Sequence, residues 1–104
     1  MAEIRNKDYG SALFYFGEAL QVNPNSVEAR ELAGNIYLAQ GQLDFAFEHF
    51  NRAVELDPIR DGLLYALGFI EYQRGNIEEA RKWFARALEV NPENVKAGER
   101  LEDL

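Results

Sequence analysis

Apolar residues recur along the chain at helical steps of three and four positions, and this spacing returns three times. The segments that show it are Tyr9–Val22, Leu43–Leu56 and Ile77–Val90. In the middle segment, the apolar positions that share one helical face are Ala46, Phe50, Ala53 and Val54. Such spacing is typical of a helix that buries one face. The pattern therefore predicts three amphipathic helices.

Each of these helices is predicted to end at a proline turn. Pro24, Pro58 and Pro92 are separated by 34 residues in both steps. Proline lacks a backbone N–H and disfavours helix in the residue before it, so each helix ends there. Three further columns keep the same step, and they read Ala12, Ala46, Ala80; Phe16, Phe50, Phe84; and Ala19, Ala53, Ala87. Several columns with one period over three copies predict a helical repeat.

A shorter helix is predicted before each of the last two amphipathic segments. These helices cover Glu28–Gln40 and Gly62–Arg74, and a further helix begins within Val95–Leu104. The first two end at Gly41 and Gly75, because glycine tolerates the backbone turn after a helix.

Two glycines, Gly34 and Gly68, fall in the middle of the shorter helices. Glycine there costs about 0.5–1 kcal/mol relative to alanine. Because both stand at the same phase of the repeat, we expect a neighbouring helix to approach closely at each.

Polar residues near the helix starts predict caps. Ser26 and Asn94 follow the first and last prolines and are predicted N-caps. Arg60 occupies that column in the middle copy, so Asp61 is the candidate there. A capping box is also predicted, formed by Asn76 and Glu79.

Together these residues resemble the tetratricopeptide repeat, a family of helix pairs with a 34-residue period. In the middle copy the matching residues are Gly34, Tyr37, Ala46, Phe50, Ala53 and Pro58. In the last full copy they are Leu64, Leu67, Gly68, Ala80, Phe84, Ala87 and Pro92. The departures are Arg30 and Ala33 in the tryptophan and leucine positions, and Glu71 in the next tyrosine position. The resemblance implies an all-α fold of stacked antiparallel helix pairs in a short right-handed superhelix.

The repeat boundaries predict a single domain over residues 1–104. Residues 1–26 form a partial repeat that is mostly its second helix, with only the stub Met1–Asn6 for the first. Residues 27–60 and 61–94 form full repeats, and residues 95–104 start a C-terminal capping helix.

The resemblance implies a protein-binding module whose first helices line a concave groove for a peptide or a partner helix. Tyr65, Phe69 and Tyr72 are spaced four and three apart, which places them on one stripe of the last full copy. The alternative is that these rings pack inside, against the preceding first helix or under the C-terminal cap Val95–Leu104. Glu28 and Glu31 on the groove predict a partner with basic as well as apolar residues.

Some members of the family hold a partner's terminal carboxylate with lysine, arginine and asparagine side chains. Asn35, Lys96 and Arg100 match three of these positions. Glu31 and Ala66 stand in the two others, and Glu31 would repel a carboxylate. We therefore expect Asn35, Lys96 and Arg100 in the groove without a complete clamp.

Two alternatives to groove binding stay open. The first is self-association through the helix Tyr9–Val22, whose apolar face around Leu13, Phe16 and Leu20 has little of a first helix to cover it. The second is an accessory scaffold domain of a larger protein.

Composition narrows the remaining classes. The chain has 18 acidic and 11 basic residues and a net charge of −7, whereas nucleic-acid binding needs a positive surface. We expect no nucleic-acid partner. There is no cysteine, and the one histidine, His49, is predicted to be a solvated surface residue, so we expect no enzyme activity, metal or cofactor. No apolar run approaches the roughly 18 residues of a membrane helix, so no membrane insertion is expected. The compartment stays open.

Overall fold

Six helices follow one another in the structure, which is a computed structural model. It describes the backbone of residues 2–104 and the side chains from residue 9 onward. The helices are α1 (Ala2–Val22), α2 (Val27–Ala39), α3 (Leu43–Leu56), α4 (Asp61–Gln73), α5 (Ile77–Val90) and α6 (Val95–Asp103). The described range contains no strand. The predicted all-α fold of stacked helix pairs is confirmed.

The bounds of α3 and α5 agree with the sequence prediction, and α2 and α4 begin and end one residue earlier than predicted. The difference is at α1, which continues without a turn from Ala2 instead of leaving a separate stub at its start. Lys7 stands 34 residues before Gly41, so this part of the chain lacks the glycine that turns the backbone between α2 and α3. Met1, the first residue of the predicted stub, lies outside the described residues.

Two glycines close the shorter helices as predicted. Gly41 and Gly75 have φ values of 77° and 85°, a region that side chains with a Cβ rarely adopt. The backbone N–H groups of Gly41 and Gly75 donate to carbonyls in the last turns of α2 and α4. These turns fold α3 back on α2 and α5 back on α4.

The two mid-helix glycines make room for phenylalanine rings. A Cβ on Gly34 would lie 2.8 Å from Cε2 of Phe50, and one on Gly68 would lie 2.6 Å from Cε1 of Phe84. Real Cβ atoms essentially never come so close. The predicted close approach is confirmed, and the approaching helix is the second helix of the same pair.

Two predicted caps are confirmed. The Oγ of Ser26 accepts the N–H of Ala29 at 3.1 Å, and Oδ1 of Asn94 accepts the N–H of Ala97 at 2.9 Å. The prediction that Asp61 caps α4 is wrong. Its carboxylate instead accepts the side-chain amide of Asn94 at 2.7 Å, which ties the start of α6 to α4.

The predicted capping box is also wrong. Asn76 stands at the start of α5, but its side chain makes no cap hydrogen bond. Its amide donates instead to Oε1 of Glu71 at 2.9 Å, and Arg74 donates to the same oxygen at 3.4 Å. Glu71 is only 7% exposed, and a buried carboxylate needs such donors because burial without them is costly. The amide of Asn76 therefore bonds to the buried carboxylate of Glu71 instead of capping α5.

The core centres on α4. Its buried residues face both α3 and α5, and they are Leu63, Leu64, Ala66, Leu67, Gly68, Ile70 and Glu71. Burying one leucine or isoleucine side chain stabilises a fold by roughly 1.5–3 kcal/mol. The closest packing joins helices that are neighbours along the chain, as repeat architectures require. Because α4 is fixed by this core, the positions of its outward-pointing side chains are fixed as well.

Candidate functional site

Three first helices, α2, α4 and α6, share one surface, which we call the groove face. Arg100 of α6 lies over rings of α4, and Leu38 of α2 lines a cavity together with Phe69 of α4. The groove face is defined by Leu38, Tyr65, Phe69, Tyr72 and Arg100. It is the surface on which the sequence placed a binding site.

The aromatic stripe of α4, formed by Tyr65, Phe69 and Tyr72, is partly buried and partly open. The ring centroids of Tyr65 and Phe69 are 6.4 Å apart at an interplanar angle of 22°. Tyr65 also packs 5.4 Å from the core ring of Phe84. Tyr72 is 37% exposed, and Tyr65 and Phe69 are intermediate. Tyr65 therefore lies against a core ring of α5, and Tyr72 is the most exposed ring of the stripe.

Arg100 holds this stripe from the neighbouring helix. Its guanidinium carbon is 5.2 Å from the Phe69 centroid and 5.4 Å from the Tyr72 centroid, within cation–π range. Its Nε donates to the hydroxyl of Tyr65 at 3.3 Å. This hydrogen bond raises the pKa of Arg100, so its charge is fixed. Arg100 was predicted as a groove residue, and the structure brings it together with all three rings.

Two cavities flank the stripe. The first has a volume of about 400 Å³ and is lined by Leu38, Gly41, Leu43, Phe69 and Gln73. The second, also of about 400 Å³, is lined by Tyr65, Lys96, Glu99, Arg100 and Asp103. The first offers mainly aliphatic and aromatic carbon, whereas charged side chains of both signs surround the second.

The predicted acidic residues of the groove do not stand alone. Arg60 donates to Glu31 at 3.2 Å, to Glu28 at 3.5 Å and to Asp57 at 3.2 Å. The sequence does not predict this cluster, because Glu31 and Glu28 lie 29 and 32 positions from Arg60 and the cap position alone gave it no partner. The guanidinium neutralises part of the acidic charge, which weakens the prediction of a basic partner. Asn35, which was also predicted to lie in the groove, is on α2 together with Glu28 and Glu31, and it is exposed.

His49 is not the solvated residue that the sequence predicted. It is half-buried, with Arg30 Nη1 3.4 Å from its Nδ1 and the Tyr37 ring stacked at 5.5 Å. Burial, then the nearby charge of Arg30, lowers the pKa of His49 below 6.5. Arg30 stands in the tryptophan position of the repeat, where the last full copy has Leu64. This cluster lies within α2 and α3 and joins no residue of the groove face.

The residues predicted for self-association occupy the half-buried side of α1. Leu13, Phe16 and Leu20 are all intermediate in exposure. The exposed aromatic residues of this helix are instead Phe14, at 72%, and Tyr15, at 68%. Self-association through Leu13, Phe16 and Leu20 stays a prediction.

The described residues offer neither a membrane span nor a metal site. Within residues 2–104, no helix is both long and apolar enough to cross a membrane. Histidine and acidic side chains of the described part form no group of three or more that could hold a metal ion.

Comparison with known proteins identifies relatives across most of the chain. It is 29% identical over 100 residues to photosystem I assembly protein Ycf3 of Prochlorococcus marinus subsp. pastoris (strain CCMP1986 / NIES-2087 / MED4), covering 86% of this chain and 58% of that protein. It is 33% identical over 89 residues to small glutamine-rich tetratricopeptide repeat-containing protein 2 of Mycosarcoma maydis, covering 85% and 25%. The chain thus spans little more than half, or only a quarter, of these curated relatives.

Solved structures with the same fold include proteins with bound or proposed peptide sites. YrrB, described as a TPR protein with an unusual peptide-binding site, superposes with a TM-score of 0.85 at 27% identity, covering 97% of this chain and 52% of that one. The first TPR of Spaghetti (RPAP3), bound to the HSP90 peptide SRMEEVD, gives 0.86 at 23% identity, covering 97% and 84%. At that identity the second likeness shows the fold alone. Family models described as tetratricopeptide repeat match residues 37–101 and residues 1–61. The chain belongs to the tetratricopeptide repeat family.

Proposed function

We propose that this chain is a protein–protein interaction module that binds a peptide or a partner helix on its groove face. The observation that carries the proposal is the aromatic stripe, which Arg100 holds in place while Tyr72 stays open to solvent. Relatives named for assembly and structural neighbours with peptide sites support this class of function. The role is binding rather than catalysis.

The stripe suits binding because its rings are already ordered. Tyr65 rests on Phe84 and is hydrogen-bonded to Arg100, so little side-chain freedom is lost when a partner arrives. Each partly open ring could bury about 70–100 Å² on a partner, which corresponds to about 2 kcal/mol at 25 cal/mol/Å². After the cost of association, three such contacts support an affinity in the micromolar range.

The chemistry beside the stripe defines the partner segment. The cavity lined by Leu38, Leu43 and Phe69 accepts an aliphatic or aromatic side chain. A terminal carboxylate is less well served, because Glu31 lies on α2 and the small side chain of Ala66 is buried. The proposed ligand is therefore an apolar segment with polar flanks rather than an acidic chain end.

A selection experiment tests the proposal. Peptides from a random displayed library are selected on the immobilised chain, and their Kd values are measured by fluorescence anisotropy. Tyr72→Ala is expected to weaken binding about tenfold because Tyr72 is an open ring of the stripe. Ile59→Ala, an exposed apolar position at 74% between α3 and α4, is the matched control and should bind as the wild type does.

Two results would contradict the groove assignment. One is that Tyr72→Ala and Ile59→Ala lose binding affinity equally, while circular dichroism shows that both variants are folded. The other is tight binding of SRMEEVD, the peptide seen with RPAP3, in a manner that Tyr72→Ala leaves unchanged. That result would place recognition at charges rather than at the rings.

A further inference from the structure

The solvent-facing side of α1 carries an uncharged stripe. Gly10, Phe14, Gly17 and Gln21 follow one another at steps of four, three and four, so they share one helical face. All four are exposed, and Phe14 is 72% exposed. We call these four residues the outer stripe. Phe14 is thus a large aromatic ring that stands open to water between two glycines of the same helix face.

The stacking of the repeats does not supply a cover for it. Thirty-four residues later, the same positions on α3 are Asp44, Glu48, Asn51 and Glu55, and on α5 they are Glu78, Lys82, Ala85 and Glu89. Those at the Gly10, Phe14 and Gln21 positions are exposed although α3 and α5 each pack against helices on both sides. A neighbouring helix of the array therefore leaves this face open. Only α1 has replaced its charges with a ring, an amide and two glycines.

The two glycines of the outer stripe leave open space beside the ring, and we call these spaces the glycine recesses. A Cβ added to Gly10 or Gly17 would meet nothing within 4 Å, whereas Gly34 and Gly68 each receive a phenylalanine ring. Glycine inside a helix is unfavourable relative to alanine, and at Gly34 and Gly68 a packed ring offsets this cost. The contact that fills Gly34 and Gly68 is the kind that the outer stripe lacks within its own chain.

We propose that the outer stripe packs against the outer stripe of a second copy of this chain. In an antiparallel twofold pair centred between Phe14 and Gly17, the ring of each copy faces the Gly17 recess of the other. Such reciprocal contact is what a twofold interface requires. The four stripe residues carry no charge, whereas the chain as a whole carries −7 and charged stripes like those of α3 would repel their own copies. The exposed Glu18 lies at the edge of the stripe, and its charge opposes the contact, which fits a weak pair.

The proposed surface differs from the one that the sequence suggested. Leu13, Phe16 and Leu20 lie on the half-buried side of α1, whereas the outer stripe is exposed and lies about 100° further round the helix. The contact is small, below the roughly 1,000 Å² of a stable interface, so the dimer is weak and forms at high concentration. It also leaves the groove face of each copy free.

Sedimentation equilibrium of the full chain, from about 10 μM to about 1 mM, tests the proposal. We expect a reversible rise towards the dimer mass. Phe14→Glu introduces the residue that α3 carries at this position as Glu48, so it should fold, and it should weaken association at least about tenfold. The matched control is Ile59→Glu, which adds the same charge at another exposed apolar position and should dimerise as the wild type does.

Gly17→Ala separates a packing role from a general loss of structure. It should make the monomer more resistant to heat, because alanine favours helix, yet weaken dimerisation because the recess is filled. A wild-type chain that stays monomeric at the highest concentration overturns the proposal. Dimerisation that either Phe14→Glu or Gly17→Ala leaves unchanged also overturns it.

Discussion

Replacing Gly68 with alanine is a direct test of how the helix pairs are held together. The new Cβ would lie 2.6 Å from Cε1 and 2.7 Å from Cδ1 of Phe84. Carbon atoms in good contact are about 3.5–4.0 Å apart, so the ring would have to move by about 1 Å. Phe84 has no exposed surface and Gly68 is buried, which leaves the ring little space to move into.

The expected effect is a difference between two opposing terms. Overpacking a core costs about 1–3 kcal/mol, and alanine returns about 0.5–1 kcal/mol through its better helix propensity. We therefore expect Gly68→Ala to lower the free energy of unfolding by about 1–2 kcal/mol. For a domain of this size, each kilocalorie lowers the melting temperature by roughly 4–8 °C.

Urea and thermal unfolding followed by circular dichroism measure the change. Gly17→Ala, at low protein concentration, is the control, because nothing lies within 4 Å of the new Cβ and only the propensity gain of about 0.5–1 kcal/mol remains. Replacing glycine with alanine should thus lower the free energy of unfolding at Gly68 and raise it at Gly17. Combining Gly68→Ala with Phe84→Leu should cost less than the two single changes added together. A Gly68→Ala chain as stable as the wild type would refute the reasoning.

Three further predictions concern polar contacts. Because the pKa of His49 is lowered in the folded chain, the unfolded chain binds the proton more readily, so stability should fall as the pH drops below 6.5. Urea titrations at about pH 7.5 and about pH 5.5 should show a smaller pH effect in His49→Gln. Asn94→Ala removes the α6 cap and a donor to Asp61, and should lower the unfolding free energy by about 1–2 kcal/mol in the same assay. Glu71→Ala removes the carboxylate that accepts from Asn76 and Arg74 and should cost about 1–3 kcal/mol, whereas Glu71→Gln, which keeps an acceptor, should cost less in thermal melts.

Features that depend on the local pattern could be predicted from the sequence. The bounds of α3 and α5 follow from apolar spacing and from a proline after each, both of which act within a few residues. The close packing at Gly34 could be anticipated because Gly34 and Gly68 recur at the same phase of the repeat, although glycine is unfavourable inside a helix. The aromatic stripe of α4 was also readable, since helical spacing alone puts its rings on one face.

Features that depend on competition between distant partners could not be predicted in this way. Arg60 contacts Glu31 and Glu28, which lie 29 and 32 positions away, and long flexible side chains choose among several carboxylates. Asn76 fits a capping motif locally, yet its amide goes to Glu71 because a buried carboxylate has the stronger need. Whether Tyr65 packs inward or faces the groove depends on the position of Phe84, which spacing does not supply.

The uneven core has a consequence for the order in which the array loosens. Seven residues of α4 are buried, against three of α2 and one of α6, and no described side chain of α1 is fully buried. When contacts run mainly between neighbouring helices, opening starts where burial is least and moves inward. Fraying should therefore begin at α1 and α6, while α4, which has the most buried residues, keeps its shape. A ligand at the aromatic stripe would meet rings supported by the rigid α4 and would hold Arg100 of α6 against them, whereas a second copy at α1 would hold the other fraying end in place.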